Sequence, residues 1–440
     1  MKSSIRTACF AALLSCGAAQ ASYVTVVDDA AIDRGEDGWW EVLPYVFYTS
    51  GMEWFAGVGG GMSGYGQPNL NLVGTALVST NDSALGFVYM SDLQMPRANR
   101  LFVDALIYST RFTKDQLYIP TTGRGPNPAG NPGSPGSNDS DVDDYVFAHT
   151  EGQEYRLYLN YLLPIGDGAG ANPVHTYHTR NGVVVPGSES GGREWNPLTS
   201  GRSFLKLEPY FWEQNVQDQS DYTYDEPERS VGLRFELMYD NRDYRSNPTR
   251  GSYQKFTVNR DWGDSKRPEW YTWEFEASKY VALGENKWAH QQVLAFNFWT
   301  IDTPTWNDTS VVGGQSTYQR PAWFAGARLG GWKRMRGYQT NRFYDRSAIY
   351  YSGEYRFTPK WNPMPLIPFV RRFNIPAWHW VAFGELGRVA DDYDLSELHK
   401  DMKYSVGASV RVMLEGLVLQ GSYAVSDQDS KVYVGVNHPF

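Results

Sequence analysis

Cysteine is nearly absent: the 440 residues hold two, Cys9 and Cys16, both within the first 21. Disulfide scaffolds and Cys-based metal or redox chemistry are therefore excluded from the rest of the chain. Beyond the leader, no apolar run approaches the roughly 18 residues that a spanning helix needs. Basic residues are outnumbered, 40 Lys+Arg against 49 Asp+Glu for a net charge of −9, so no nucleic-acid partner is expected. Neither H-E-x-x-H nor G-x-S-x-G occurs, which leaves zinc-protease and lipase-elbow chemistry without a motif. Gly59-Gly60-Gly61-Met62-Ser63-Gly64 matches G-x-G-x-x-G, but no helix pattern follows it; glycines in a strand mark a bend or a close approach. The run Asp139, Asp141, Asp143, Asp144 lacks the Gly and Glu of a calcium loop and reads as a solvated loop. The expectation is no catalytic residue, no metal, no cofactor and no enzyme. A hydrolase site assembled from separate strands is the remaining enzymatic alternative.

Rings are what the chain has in excess. It carries 16 Trp, 30 Tyr and 21 Phe, yet only 41% of its residues are hydrophobic, with 20% charged. That mixture argues against disorder and for strands that are apolar on one face only.

Residues 1–21 have the form of a secretory signal: Lys2 and Arg6, an apolar stretch Ala8–Leu14, and Ala19-Gln20-Ala21 as the cleavage site. Leu13-Leu14-Ser15-Cys16 is a loose lipobox, so lipoprotein processing is the competing reading. Residues 22–38 form a short N-terminal segment, and 39–440 a single β domain.

Many segments alternate with period two. In 230–240, Val231, Leu233, Phe235, Leu237 and Tyr239 oppose Gly232, Arg234 and Glu236. In 348–357, Ile349, Tyr351, Tyr355 and Phe357 oppose Ser352, Glu354 and Arg356. A soluble sandwich would alternate too. Two features favour lipid: the apolar faces end in Trp and Tyr, which sit at headgroup depth, and the polar faces carry charges suited to a wet lumen. Sixteen such segments are expected, from 39–49 to 431–440, including 100–112, 153–165 and 202–215. An even number closes into an antiparallel 16-stranded transmembrane β-barrel without free edges. Both termini then face the periplasm of a Gram-negative outer membrane. The Pro/Gly-rich stretch 120–138 and the segment 301–346 become external loops. By the same parity 166–201 falls on the periplasmic side, where turns are short, so it is either an insertion or a sign of a miscounted strand.

Three motifs extend this reading. Asp240-Asn241-Arg242-Asp243 precedes Pro248-Thr249-Arg250-Gly251 at a turn, where Pro fixes φ and Gly permits positive φ. Met335-Arg336-Gly337-Tyr338 lies in the long segment before the twelfth strand, and Phe383-Gly384-Glu385-Leu386-Gly387 on the thirteenth. With these motifs in this order, the region from about 230 to 440 resembles the BamA/TamA/two-partner-secretion transporter superfamily of outer-membrane barrels, the bacterial surface antigen family. The resemblance implies that the sixth external loop folds into the lumen and that Arg336 pairs with Glu385, a Glu where the family has Asp. The competing reading makes Arg336 a solvated loop residue and Glu385 an ordinary lumen charge. Phe383, Glu385 and Gly387 share the inward parity, while Trp378, Trp380 and Leu386 face lipid. Val432, Val434, Val436 and Phe440 share a face that resembles the signal read by the barrel-assembly machinery, an expected partner during insertion. Outer-membrane lipid and lipopolysaccharide are the other expected partners.

Family members that insert or export proteins carry POTRA domains. Only 17 residues (22–38) precede the first strand here, fewer than the roughly 40 a folded module needs, which implies a barrel-only branch. Pro44 and Pro439 lie in the two strands that must pair to close the barrel. They mark either a weakened seam for lateral opening or harmless strand ends. The functional expectation is membrane biogenesis, by insertion or translocation of protein or lipid. The alternative is a porin-like solute channel.

Overall fold

Alternation of ring or branched residues with polar ones gives each segment two unlike faces, and strand pairing keeps like faces together. A computed structural model describes residues 24–28, 39–49, 53–119, 135–180, 182–218, 228–368, 375, 377–414, 417–436 and 438–440. Residues 1–21, read above as a secretory signal, and most of 22–38 and of 120–138 lie outside them. One sheet of sixteen strands is built in strict chain order. Its members are β1 (Trp39–Thr49), β2 (Glu53–Ser63), β3 (Asn71–Ser79), β4 (Ala84–Gln94), β5 (Leu101–Leu117) and β6 (Val146–Leu162). There follow β7 (Arg202–Asp218), β8 (Glu228–Asp240), β9 (Gly251–Asp261), β10 (Trp270–Ala282) and β11 (Ala289–Asp302). The last five are β12 (Ser347–Pro359), β13 (Trp378–Ala390), β14 (Lys403–Leu414), β15 (Leu417–Ser426) and β16 (Ser430–Val436). Every neighbouring pair is antiparallel, and among the described residues no ladder joins β1 to β16.

The sheet is strongly curved. Adjacent residues of segment 303–346 touch strands far apart in the order: Arg328 lies over Trp212 on β7, and Leu329 packs at Gly387 on β13. Six strand spacings separate those strands, about 29 Å in a flat sheet, so the sheet wraps around the segment. The convex face is apolar from end to end: Val46, Val58, Val88, Ile107, Leu157, Phe235, Phe296, Val406 and Val434 are all exposed there. Soluble monomers rarely expose an apolar surface of this extent. Exposed tryptophans stand near both rims, Trp54 and Trp262 at one, Trp40, Trp288, Trp361 and Trp380 at the other.

The sheet order decides between the two readings of 166–201. β6 and β7 are direct neighbours, so no strand is missed and the segment is an insertion. It folds on itself: His175–Arg180 pairs with Val183–Val184 and, in parallel, with Val24–Asp28. The insertion shares its rim, here the turn end, with the turns 241–250 and 360–377; the opposite rim is the loop end.

β5, β6 and β7 run to 17 residues each, longer than their alternation predicts. Their extra residues at the loop end enclose a separate core of Leu117, Ile119, Ala148 and Val216, with Trp323 against it. β16, by contrast, stops at Val436. Phe440 does not continue the outward face of Val432 and Val434: the chain turns in, and its ring packs against Tyr280, Val293 and Ala295 on the concave face. Trp378 also departs from its expected exposure. It keeps the outward parity but is covered by Trp361, whose carbonyl oxygen accepts its indole N–H at 2.8 Å.

Candidate functional site

Segment 303–346 enters the hollow of the sheet as a narrow finger. Ala327–Leu329 pairs with Phe343–Asp345, and the chain between them forms the tip. Gly330 and Gly331 turn the tip at φ of +110° and +101°, and Met335 sits at +63°, where a side chain is uncommon. Met335, Arg336 and Tyr338 of the tip are buried, Met335 and Tyr338 in a cluster with Trp299, Leu329, Phe343 and Tyr350.

The wall is shaped to receive it. A Cβ on Gly387 would meet Leu329 Cδ1 at 2.9 Å, one on Gly337 would meet the Ser426 backbone at 2.9 Å, and one on Gly435 would meet the Trp332 ring at 2.7 Å. In each case close approach, rather than backbone freedom, requires glycine.

Arg336 and Glu385 are brought together. The Arg336 backbone N–H donates to Glu385 Oε2 at 2.7 Å, and its Nε donates to Oε1 at 2.9 Å. Tyr350 adds its hydroxyl to Oε1 at 2.7 Å, and the guanidinium lies over Phe383, 3.4 Å from the ring centroid. A second carboxylate, not singled out by the motifs, completes the site. Glu354 accepts from Arg336 Nη1 at 3.1 Å, from Arg356 Nε at 2.9 Å, and from both Nη atoms of Arg411 at 2.9 and 2.7 Å. Three guanidiniums thus share two carboxylates, with Arg336, Glu354 and Glu385 fully buried. Paired charges of this kind are strongly destabilised by losing any one member. Of the partners of Glu354, Arg356 was legible only as a parity: positions 354 and 356 alternate inward with Ser352.

The remaining tip bonds fan across the last strands. Gly337 N–H donates to Ser405 Oγ at 2.8 Å on β14, and Ser426 Oγ on β15 donates to Gly337 O at 2.9 Å. Tyr433 on β16 donates to Tyr338 O at 2.7 Å, and Tyr338 itself donates to Asp427 at 2.5 Å. Every strand from β12 to β16 therefore holds the tip. On the opposite wall a ladder of alternating charge, Lys206, Glu236, Lys255 and Glu276, crosses β7 to β10 and ends on Arg334 of the finger. At the base of the finger, burial pushes the Asp345 carboxyl up to about 6. Above it, Arg342 donates both Nη groups to Ser140 of the neighbouring loop, each at 2.7 Å.

The turn motif has its own geometry. Asp243 Oδ1 accepts from the backbone N–H groups of Tyr244, Thr249 and Arg250 at 2.9–3.2 Å. Arg242 closes on Asp240 with two bonds of 2.8 and 2.6 Å. Pro248 is buried in the turn, and Gly251, at φ +96°, would place a Cβ 1.9 Å from Asn241 O. Sequence reasoning missed what the turn receives. Asn241 donates to Glu194 O at 3.0 Å and accepts from Ser200 Oγ at 2.7 Å, and Gly192 N–H donates to Asn241 O at 2.7 Å. The turn is the dock for insertion 163–201.

The two prolines are not brought together by pairing. Pro44 sits mid-strand opposite Val58, so the strand-end reading does not describe it. Pro439 is buried beyond the end of β16. Beside it, His438 Nδ1 lies 2.7 Å from Arg411 Nη1. The glycines of β2 make room for a ring: a Cβ on Gly57 would meet Tyr45 at 2.6 Å.

Comparison with known proteins places this architecture. In solved structures it is similar to CdiB from Escherichia coli, at 10% identity and a TM-score of 0.50 over 92% of this chain and 62% of that one. It is also similar to CdiB from Acinetobacter baumannii (10%, TM-score 0.47, 91% and 59%). A third likeness is to BamA from Haemophilus ducreyi lacking POTRA domains 1-3 (12%, TM-score 0.48, 90% and 68%). The chain thus spans from under two thirds to about two thirds of those chains. No curated protein matches it in sequence. A family model described as the Omp85 superfamily domain matches residues 192–440, which hold the turn motif, the finger and every strand that binds its tip. That match covers more than half of the sequence, and the chain belongs to the Omp85 superfamily.

Proposed function

We propose that the sixteen strands close into an outer-membrane barrel of a Gram-negative cell that acts in membrane biogenesis, by inserting or translocating polypeptide or lipid. Segment 303–346 is its resting plug, and the β1/β16 boundary its lateral seam. Both chain termini face the periplasm. No covalent chemistry is involved.

The observation that carries this reading is where the tip is bonded. Arg336, Gly337 and Tyr338 at the tip bond to the unbroken run β12–β16, which ends at a strand with no second neighbour among the described residues. Movement of that edge and release of the plug therefore strain the same contacts. Pro44, which has no N–H to offer a ladder, fits an edge strand next to such a boundary. A porin-like channel would need an open lumen, whereas here a finger enters the hollow and an insertion docks on the turn end.

Planar-bilayer conductance of the purified protein tests the plug. The intact protein should conduct little, and Arg336→Ala should raise conductance by freeing the tip. A large, steady conductance in the intact protein, unchanged by Arg336→Ala, would assign the channel instead. The seam is tested separately with cysteine pairs, one in β1 and one in β16: locking them should abolish whatever transfer the unlocked protein supports.

A further inference from the structure

Several glycines on the convex face have no explanation inside the protein, and two of them, unlike Gly421 between Val410 and Val434, face each other. Gly353 and Gly384 are register partners at the middle of β12 and β13, both with the outward parity. A Cβ on Gly384 would meet nothing within 4 Å, and one on Gly353 only the Phe296 ring at 3.8 Å. Neither has positive φ, so neither turn geometry nor packing demands glycine. Glycine weakens a strand interior, and its other common cause there is close approach of an external group.

The glycines floor a groove of about 800 Å³ on the outer face. Register partners trace its length: Ser252 to Lys279, Lys279 to Phe296, Phe296 to Gly353, Gly353 to Gly384, and Gly384 to Val406. Those five spacings span about 24 Å across the strands. With strands inclined at about 45°, the row climbs about 17 Å along the barrel axis, close to one leaflet of a ~30 Å hydrocarbon core.

The ends of the row differ chemically. Val406 lies near the loop end, within an apolar surface. At the turn end stand Lys279, exposed and without an ion-pair partner among the described residues, and Ser252. Ser252 lines the groove, and its buried Oγ has no hydrogen-bond partner. Trp195, from insertion 163–201, hangs over the same end with its indole N–H directed to Gln254 Oε1 at 3.3 Å. An apolar channel one leaflet long, ending in a cation, an unpaired hydroxyl and an interfacial tryptophan, has the polarity of a membrane lipid.

We infer that this groove binds one glycerophospholipid, its acyl chain over Gly353 and Gly384 and its phosphate headgroup at Lys279 and Ser252. The inference rests on the reading that the convex face meets hydrocarbon. The test reconstitutes the full chain into phosphatidylethanolamine/phosphatidylglycerol vesicles containing a trace of phospholipid with a photoactivatable acyl chain, and maps cross-links by mass spectrometry. Peptides of β12 and β13 should be labelled several-fold more than the β5 face around Ile107. Gly384→Leu, whose Cβ meets no protein atom within 4 Å, should bring them down to the β5 level with the sheet's circular dichroism unchanged. Lys279→Gln should lower labelling by phosphatidylglycerol more than by phosphatidylethanolamine. Equal labelling of both faces, indifferent to Gly384→Leu, would overturn the groove while leaving the barrel reading in place. No labelling of either face would overturn the barrel reading, and the groove with it.

Discussion

The two ends of the hollow are occupied by different means. From the loop end the finger reaches mid-strand, where its tip is held by buried charge: one guanidinium between two carboxylates, with two further arginines on the second. At the turn end, insertion 163–201 has no fully buried ion pair among the described residues: Asn241 bonds Glu194, Ser200 and Gly192, and charged contacts such as Arg250 to Glu189 at 2.8 Å and Arg100 to the Gly168 and Gly170 carbonyls lie at the exposed margin. Neutral bonds each contribute a modest amount and fail gradually. A buried ionic cluster holds while complete and collapses when one member is lost. The tip is built like a catch, and the insertion like a fitted lid.

Breaking the catch should have the largest effect. Arg336→Ala leaves Glu385 and Glu354 buried without their shared cation and should cost the docked tip about 3–5 kcal/mol. Limited proteolysis within 303–346 should accelerate while hydrogen exchange in 163–201 stays as in the parent. Simultaneous loosening of both ends would show that the two are one unit. Glu385→Asp should have an intermediate effect, about 1–3 kcal/mol, because the shorter side chain cannot reach both the backbone N–H and Nε of Arg336. Arg336→Lys in the Glu385→Asp background should add less than it does alone, which a double-mutant cycle would read. On the other side of the comparison, Asn241→Ala should cost about 1–2 kcal/mol and speed exchange in 163–201 without exposing the tip.

The smallest expected effect is one of pH. Burial raises Asp345 from an ordinary 3.8 to about 6, so the folded finger favours the protonated acid. Its contribution is fully present below the unfolded value and is lost as pH rises through about 6. Proteolysis of 303–346 should therefore quicken slightly between pH 4 and 6 in the parent, and Asp345→Asn should flatten that slope.

Strand number, order and facing were legible because period-two alternation survives in every membrane-length segment. Phe235 and Glu236 point opposite ways for the same reason that their neighbours on β7 and β9 do. Exposure was less legible, because it depends on what covers a side chain. Trp378 has the outward parity but lies under Trp361, and Ile349 under Leu398 of the 391–402 loop. Phe440 was misplaced because parity holds only while the strand lasts, and beyond Val436 the chain turns in. At the site, Arg336 and Glu385 carried a family signature, whereas Glu354 looked like any lumen acid. Its role appears only when β12 and β14 lie side by side with β13 between them, which sequence spacing does not show. Insertion 163–201 lacked a periodic signal, since it docks through scattered residues, Tyr177 against Tyr244 and Ser200 on Asn241 among them. Glu194, Ser190 and Gly192 carry no pattern that would announce such a dock.

Beneath both ends lies the claim that the apolar stripes contact hydrocarbon and the polar ones enclose water. With its only cysteines at positions 9 and 16, each replaceable by Ser, the chain accepts single cysteines one at a time along β8, from Val231 to Leu237. In vesicles, a membrane-confined thiol reagent should label positions 231, 233, 235 and 237, and not 232, 234 and 236. The reverse pattern, or labelling of every position by a water-soluble reagent alone, would contradict the account.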